Sequence, residues 1–258
     1  MHISLVQALL IGLWAGLCLA GQLWGIYTNR SLVLALGVGV ILGDIPTALA
    51  MGAASELAFM GFGVGAGGTV PPNQLGPGIV GTLMAITLKK SGMDVKAALA
   101  LSIPFAVAFQ FLITAAYTLL SGTTASAKRA LEKGNYKLFS FYGQLTLIVF
   151  VVIGFAIGFG AAINTEGAKY VIQAIPQWLI KGFSVAGGLL PAIGFAFILN
   201  VMVKKEYIAF VFLGFVCVSF LKLPVIGVAL LALVFALYDY STKSSDNGKK
   251  EEVYENGI

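Results

Sequence analysis

Long apolar runs, separated by short polar stretches, make up most of the chain. Four runs contain no Asp, Glu, Lys or Arg: residues 3–29, 97–127, 138–165 and 182–203. A helix needs about 20 apolar residues, at about 1.5 Å each, to cross the hydrocarbon layer of a membrane. Each run is long enough for one crossing. The pattern therefore predicts an all-α polytopic membrane protein.

Other apolar runs are too short to cross a membrane as simple helices. Residues 31–43 end at Asp44 and Pro46, and the residue before a proline avoids the helical region. Residues 79–88 are typical of the second half of a broken helix. Two further short runs, 207–221 and 223–238, lie around Lys222. These lengths predict broken helices and re-entrant hairpins.

One stretch, residues 44–78, combines charge with residues that interrupt helices. Asp44 and Glu56 lie in apolar surroundings. They are followed by glycines and then by other interrupting or polar residues: Gly61, Gly63, Gly65, Gly67, Gly68, Pro71, Pro72, Asn73 and Gln74. Irregular backbone at membrane depth is tolerated only where it is buried in protein or lines a wet cavity, and an ionisable group there suggests function. We therefore expect a polar solute to bind near this stretch.

Four residues are candidates for contact with that solute: Glu56, Asn73, Asp44 and Gln22. A carboxylate accepts strong hydrogen bonds, and an asparagine amide both donates and accepts. Each candidate also has a structural interpretation. Glu56 can be a buried carboxylate with a structural partner, Asp44 a helix cap, and Gln22 an interfacial residue beside aromatic side chains.

Composition supports the membrane class and argues against other functions. The chain is 59% hydrophobic and 10% charged, whereas soluble domains carry about 25% charged residues. Four basic residues in 128–137 predict a cytoplasmic loop, and the net charge of +5 is not clustered as nucleic-acid binding requires. We expect a membrane domain over residues 1–240 and a disordered polar tail over 241–258.

No pattern in the chain suggests catalysis or a bound cofactor. His2 is the sole histidine, and Cys18 and Cys217 lie within apolar runs without metal-ligand spacing. Phosphoryl or acyl transfer needs a positioned nucleophile. We therefore predict no catalytic site, no metal site and no cofactor.

Two weaker patterns add detail. Polar residues recur every four positions in 168–181, which predicts an amphipathic helix at the membrane surface. The segment 66–71 resembles 186–191, and such Gly/Pro-interrupted echoes occur in transporter repeats, although six residues can also match by chance.

Several motifs in order carry a resemblance to a known family. They are L-G-V-G-V-I-L-G-D at 36–44, G-A-A-S-E-L-A-F-M-G at 52–61, V-P-P-N at 70–73 and I-P-Q-W-L-I-K-G-F-S-V-A-G-G-L-L-P-A-I-G-F at 175–195. Over about residues 2–240 the chain resembles the membrane component IIC of the bacterial phosphoenolpyruvate-dependent sugar phosphotransferase system (PTS), in its mannose/fructose/sorbose family.

The resemblance implies a multi-pass subunit of the bacterial cytoplasmic membrane, with a transport core and a scaffold domain. It implies a homologous IID membrane subunit, phosphoryl-carrying histidines on IIA and IIB partners, and a trimer of IIC–IID pairs. The chain itself would be a transport subunit rather than an enzyme. The family's glutamate in the sugar-binding region corresponds to Glu56.

The sugar and the mode of transport have alternatives at this point. V-P-P-N, G-G-L-L-P-A-I-G-F and the ending N-G-I look most like members that carry N-acetylgalactosamine or related amino sugars. Uronate-containing disaccharides, sorbose, fructose and mannose stay open. An ion-coupled transporter that uses Asp44 and Glu56 is an alternative function, and a purely structural membrane subunit is another.

Overall fold

The computed structural model describes residues 3–60, 72–89, 92–164, 176–204 and 207–255, and these residues are mostly helical. In chain order the helices are α1 (Leu5–Gly21), α2 (Ser31–Leu42), α3 (Ile45–Phe59), a π-helix (Gly76–Gly81), α4 (Thr82–Thr87), α5 (Val95–Leu120), α6 (Gly122–Glu132), α7 (Tyr136–Ile163), α8 (Gln177–Met202), α9 (Ile208–Ser219) and α10 (Val225–Glu255).

Within the described ranges, three long apolar helical stretches are able to cross a membrane. They are Val95–Glu132, Tyr136–Ile163 and Lys181–Met202. They coincide with three of the four charge-free runs. An uninterrupted apolar run favours a helix in hydrocarbon, and the length of the run sets the length of that helix. The predicted all-α polytopic class is confirmed.

The first apolar run is not helical throughout. Helix α1 ends at Gly21, and a loop continues to Arg30 with left-handed backbone at Gly25 (φ 75°) and Tyr27 (φ 55°). The helix therefore has 17 residues, about 26 Å in length, although its apolar run is longer. The loop after α1 forms one side of the cavity described below.

Helices α2 and α3 form a short antiparallel hairpin. They contain 12 and 15 residues, so each helix is shorter than the thickness of a hydrocarbon core, which is about 30 Å. Gly43 ends α2 in the left-handed conformation (φ 79°) that glycine adopts without strain. Gly39 packs on Ala48, and Gly52 packs on Leu32, which sets the two helices side by side in opposite directions.

The most extensive contact between two helices joins α1 to α7, and it runs through glycines. A Cβ at Gly154 would lie 2.7 Å from the carbonyl oxygen of Ala15, and one at Gly158 would lie 2.9 Å from that of Ile11. Small residues allow backbones to approach closely in membrane proteins. The pair Gly154 and Gly158 therefore fixes α7 against α1.

We expect Gly154→Ala to lower the thermal unfolding temperature of the detergent-solubilised protein. The added methyl would meet the backbone of α1, which cannot rotate away, and such overpacking costs about 1–3 kcal/mol. Gly160→Ala in the same helix is the matched control, because no atom lies within 4 Å of its Cβ position. Equal unfolding temperatures for the two variants would contradict this packing.

The π-helix belongs to a buried apolar cluster that also contains residues of α1, α2, α5 and α7. Leu75 and Ile79 are fully buried, and the π-helix contacts α2, α3 and α5. A Cβ at Gly76 would lie 2.5 Å from the amide nitrogen of Ala106 in α5. This contact fixes the chain just after Asn73, and π-helical turns are often found at functional sites.

The chain divides into two compact units, Met1–Val201 and Met202–Ile258. In the second unit α9 and α10 contact each other, with the rings of Phe210 and Phe235 5.8 Å apart. The expected domain boundary at residue 240 lies inside α10. Helix α10 continues through residues 241–255. This segment has no proline and several Lys and Glu residues, which allow a helix to propagate.

Some predicted features lie outside the described residues. They are the glycine cluster at 61–68, the segment 66–71 of the internal echo, and most of the amphipathic helix predicted at 168–181.

Candidate functional site

A cavity of about 310 Å³ lies where the loop after α1, the end of α3, the residues before the π-helix and α5 meet. Its size is within the range of about 300–1,000 Å³ for small-molecule sites. The described residues that line it are Gln22, Tyr27, Asn29, Arg30, Phe59, Pro72, Asn73, Gln74 and Gln110. Two of the four predicted contact residues, Gln22 and Asn73, are among them.

The loop after α1 supplies four of these side chains. Asn29 Nδ2 donates to Gln22 Oε1 at 3.0 Å, and Thr28 Oγ1 donates to the Cys18 carbonyl at 2.9 Å. Tyr27 is 76% exposed and has a left-handed backbone, which is uncommon for a residue other than glycine. Such backbone conformations cluster at functional sites. The loop thus presents an aromatic ring and two amides to the cavity.

Asn73 both holds the wall of the cavity and faces its interior. Its backbone nitrogen donates to the Ala106 carbonyl at 2.9 Å, and its Oδ1 accepts from the Leu75 amide at 3.0 Å. Its Nδ2 donates to Gln110 Oε1 at 3.2 Å. An asparagine amide has two donor hydrogens and an oxygen with two lone pairs, so Asn73 retains capacity for a ligand.

Gln74 connects the cavity to the beginning of α2. Its Oε1 accepts from the backbone nitrogen of Ser31 at 2.7 Å. The first amide groups of a helix have no partner within the helix, and this glutamine satisfies one of them. Because its oxygen is engaged, its Nε2 group is the part able to donate to a ligand.

The predicted contact residue Glu56 lies behind Arg30 rather than on the cavity surface. Arg30 Nε donates to Glu56 Oε1. The Arg30 side chain lines the cavity and is 50% exposed, whereas that of Glu56 is 19% exposed. Glu56 Oε2 is buried with no hydrogen-bond partner in the part of the chain that the structure describes. The carboxylate thus orients and partly neutralises the cation that a ligand would meet.

Asp44 lies away from the cavity and caps α3. Its Oδ1 accepts from the Thr47 amide at 3.2 Å, and its Oδ2 accepts from the Thr47 hydroxyl at 2.8 Å. Lys89 Nζ lies 3.2 Å from Oδ2. Twelve positions separate Asp44 from Glu56, or about 18 Å along α3. The structure does not bring these two carboxylates together as a shared ion site.

Arg30, Asn29 and Gln110 are lining residues that the sequence did not predict as ligand contacts. In the sequence Arg30 only ends an apolar run, and Gln110 is a lone amide in a long apolar run. A lone polar residue in such a run is the signal that could have identified Gln110. No three His, Cys, Asp or Glu side chains of the described residues come together as a metal site.

A helical membrane protein with a polar cavity at interrupted helices is the architecture of a membrane transport protein. The chain belongs to the PTS system sorbose-specific IIC component family, whose profile matches residues 5–238. It is therefore a sugar permease component, and a multi-pass protein of the bacterial cytoplasmic membrane.

Three relatives illustrate the range of the family. The chain is 34% identical over 244 residues to N-acetylgalactosamine permease IIC component 1 of Escherichia coli (strain K12), covering 90% of each chain. It is 29% identical to the sorbose-specific EIIC component of Lacticaseibacillus casei, covering 92% of this chain and 85% of the relative. It is 27% identical to the mannose-specific EIIC component of E. coli K12, covering 92% and 89%.

Two solved structures share the fold. One, described as the structure of a membrane protein, aligns with a TM-score of 0.80 at 24% identity and covers 93% of this chain and 97% of the other. The other is the complex of the mannose transporter ManYZ with microcin E492, with a TM-score of 0.58, the same identity and the same coverage.

Proposed function

We propose that this IIC component binds N-acetylgalactosamine or galactosamine in the cavity and carries it inward for phosphorylation by a partner. The observation that carries the proposal is the set of five amide side chains that line one cavity: Gln22, Asn29, Asn73, Gln74 and Gln110. Each amide can donate and accept, as the hydroxyl groups of a sugar require. The E. coli relative named for N-acetylgalactosamine supports the choice of sugar.

The proposed roles of the residues follow from their positions. Gln22 and Asn73 contact sugar hydroxyl groups directly. Tyr27 offers its exposed ring to the apolar face of the sugar. Glu56 acts by holding Arg30 at the cavity, and its unpartnered Oε2 is available to a sugar hydroxyl when the site rearranges around the ligand.

The chemistry of phosphorylation is proposed to lie on partner proteins. The sole histidine of this chain is His2, far in sequence from every residue that lines the cavity. We propose a IID membrane subunit, IIB and IIA phosphocarriers, and a trimer of IIC–IID pairs. The fold shared with the ManYZ structure supports an arrangement of paired membrane subunits.

The test is uptake of radiolabelled N-acetylgalactosamine, galactosamine and mannose by cells that express this chain with IID, IIA and IIB proteins. We expect amino sugar to accumulate as its phosphate, and only when all the partners are present. Cells that lack only this chain are the control. Accumulation of unphosphorylated sugar that follows an ion gradient would contradict the proposal. If mannose phosphate were the sole product, the substrate would be mannose rather than an amino sugar.

A further inference from the structure

Arg30 is the one described lining residue that carries a charge at neutral pH. The other described lining residues are amides, an uncharged phenol, a phenyl ring and a proline. Residues 61–71, which join Phe59 to Pro72 in the chain, contain no Asp, Glu, Lys, Arg or His.

The ion pair of Arg30 and Glu56 points its positive end towards the cavity. Arg30 lines the cavity and its side chain is half-exposed, whereas Glu56 is not a lining residue and its side chain is 19% exposed. A guanidinium has five N–H donors, of which Nε uses one on Glu56, so the Nη groups are available to a ligand. Because Coulomb energy falls with distance, a charged ligand interacts more strongly with the nearer cation than with the carboxylate behind it.

We propose that this cavity selects by charge, accepting an uncharged 2-acetamido sugar and rejecting the corresponding protonated 2-amino sugar. The inference rests on the proposed function and narrows it to one substrate class. A protonated amine brings a positive charge towards the guanidinium of Arg30, and the two like charges repel each other. We expect the cationic sugar to bind at least about tenfold more weakly.

The side chains of the cavity offer an acetamido group both an acceptor for its N–H and donors for its carbonyl oxygen. Asn29 Oδ1 is buried without a hydrogen-bond partner among the described residues, and it can accept from the acetamido N–H when the side chain turns towards the ligand. The acetamido carbonyl can accept from Arg30 or from Gln74, whose oxygen is already engaged with Ser31. A buried acceptor without a partner costs free energy, and a ligand that satisfies it recovers that cost.

The first experiment measures binding of N-acetylgalactosamine and galactosamine to the full purified chain by isothermal titration at pH 6 and pH 9. A primary amino group titrates near pH 8, so galactosamine is charged at the lower pH and largely neutral at the higher. We expect its affinity to rise about tenfold between them. The affinity of N-acetylgalactosamine stays constant and serves as the internal control.

Charge variants test whether Arg30 is the cause. Arg30→Gln leaves the carboxylate of Glu56 uncompensated, so galactosamine should gain affinity at pH 6 relative to N-acetylgalactosamine. Arg30→Gln combined with Glu56→Gln removes both charges and should abolish the difference in affinity between N-acetylgalactosamine and protonated galactosamine. Arg30→Lys keeps the positive charge and should retain that difference. Lys89→Gln is the matched control, because this lysine pairs with Asp44 and does not line the cavity.

The outcomes separate this inference from the proposed function. Wild-type protein that binds protonated galactosamine as tightly as N-acetylgalactosamine overturns the charge selection alone. Wild-type protein that binds no sugar overturns both. Discrimination that persists in the double variant overturns the assignment to Arg30. If Arg30→Gln alone does not fold, the double variant and the wild-type pH series still decide.

Discussion

The Glu56→Gln variant is expected to take up sugar at about one-tenth of the wild-type rate or less, while any sugar that enters is still phosphorylated. Glutamine has nearly the same size but no charge, so it weakens the bond that holds Arg30 at the cavity. Bonds to charged groups contribute about 1.5–3 kcal/mol, and about 1.4 kcal/mol corresponds to a tenfold change. Initial rates of labelled sugar uptake in cells with all the partners measure the effect.

Glu132→Gln is the matched control for this substitution. Glu132 is an exposed residue at the end of α6 and does not line the cavity. Its variant should transport at the wild-type rate. Uptake by Glu56→Gln at the wild-type rate, with equal amounts of protein in the membrane, would keep the permease function and remove Glu56 from the site.

The Gly76→Val variant is expected to lose both stability and sugar binding. Its Cβ would lie 2.5 Å from the Ala106 nitrogen and 2.6 Å from the Ala106 Cα, and both are backbone atoms of α5. Relief requires the π-helix to move away from α5, which strains the bond from the Asn73 nitrogen to the Ala106 carbonyl. Overpacking of this kind costs about 3 kcal/mol or more. Thermal unfolding in detergent and sugar titration report the two effects.

Gly143→Val in α7 provides the comparison for Gly76→Val. No atom lies within 4 Å of a Cβ at Gly143, and valine is a better helix former than glycine. This variant should unfold at or slightly above the wild-type temperature. If Gly76→Val unfolds at the same temperature as Gly143→Val and binds sugar with wild-type affinity, the contact with α5 does not position Asn73.

Ion coupling gains no support from the positions of the two carboxylates. Glu56 pairs with Arg30 near the C-terminal end of α3, and Asp44 pairs with Lys89 at its N-terminal end. A bound proton or sodium ion shared by both would need them within a few ångströms. The helix instead holds them about 18 Å apart, as its rise per residue dictates.

Much of the fold was predictable because its causes are local. One charge-free run of membrane length corresponds to α5 together with α6, and two others correspond to α7 and to α8. The short run at 31–43 forms a helix of 12 residues. Pro46 and Asp44 mark the beginning of α3, as the chemistry of helix caps requires. The loop that interrupts the first run was not predicted, because apolar residues and left-handed backbone can occur together.

The sequence by itself determined the class of protein, its family and the stretch that carries polar groups into an apolar chain. Hydrophobicity, helix length and interrupting residues act over a few neighbouring positions, so they can be read in order. Only the tertiary structure decided which polar groups share a cavity. Arg30 meets Glu56 across 26 positions, and Asn73 meets Gln110 across 37. Such partners are set by how the hairpin of α2 and α3 and the π-helix pack, and no local pattern encodes that packing.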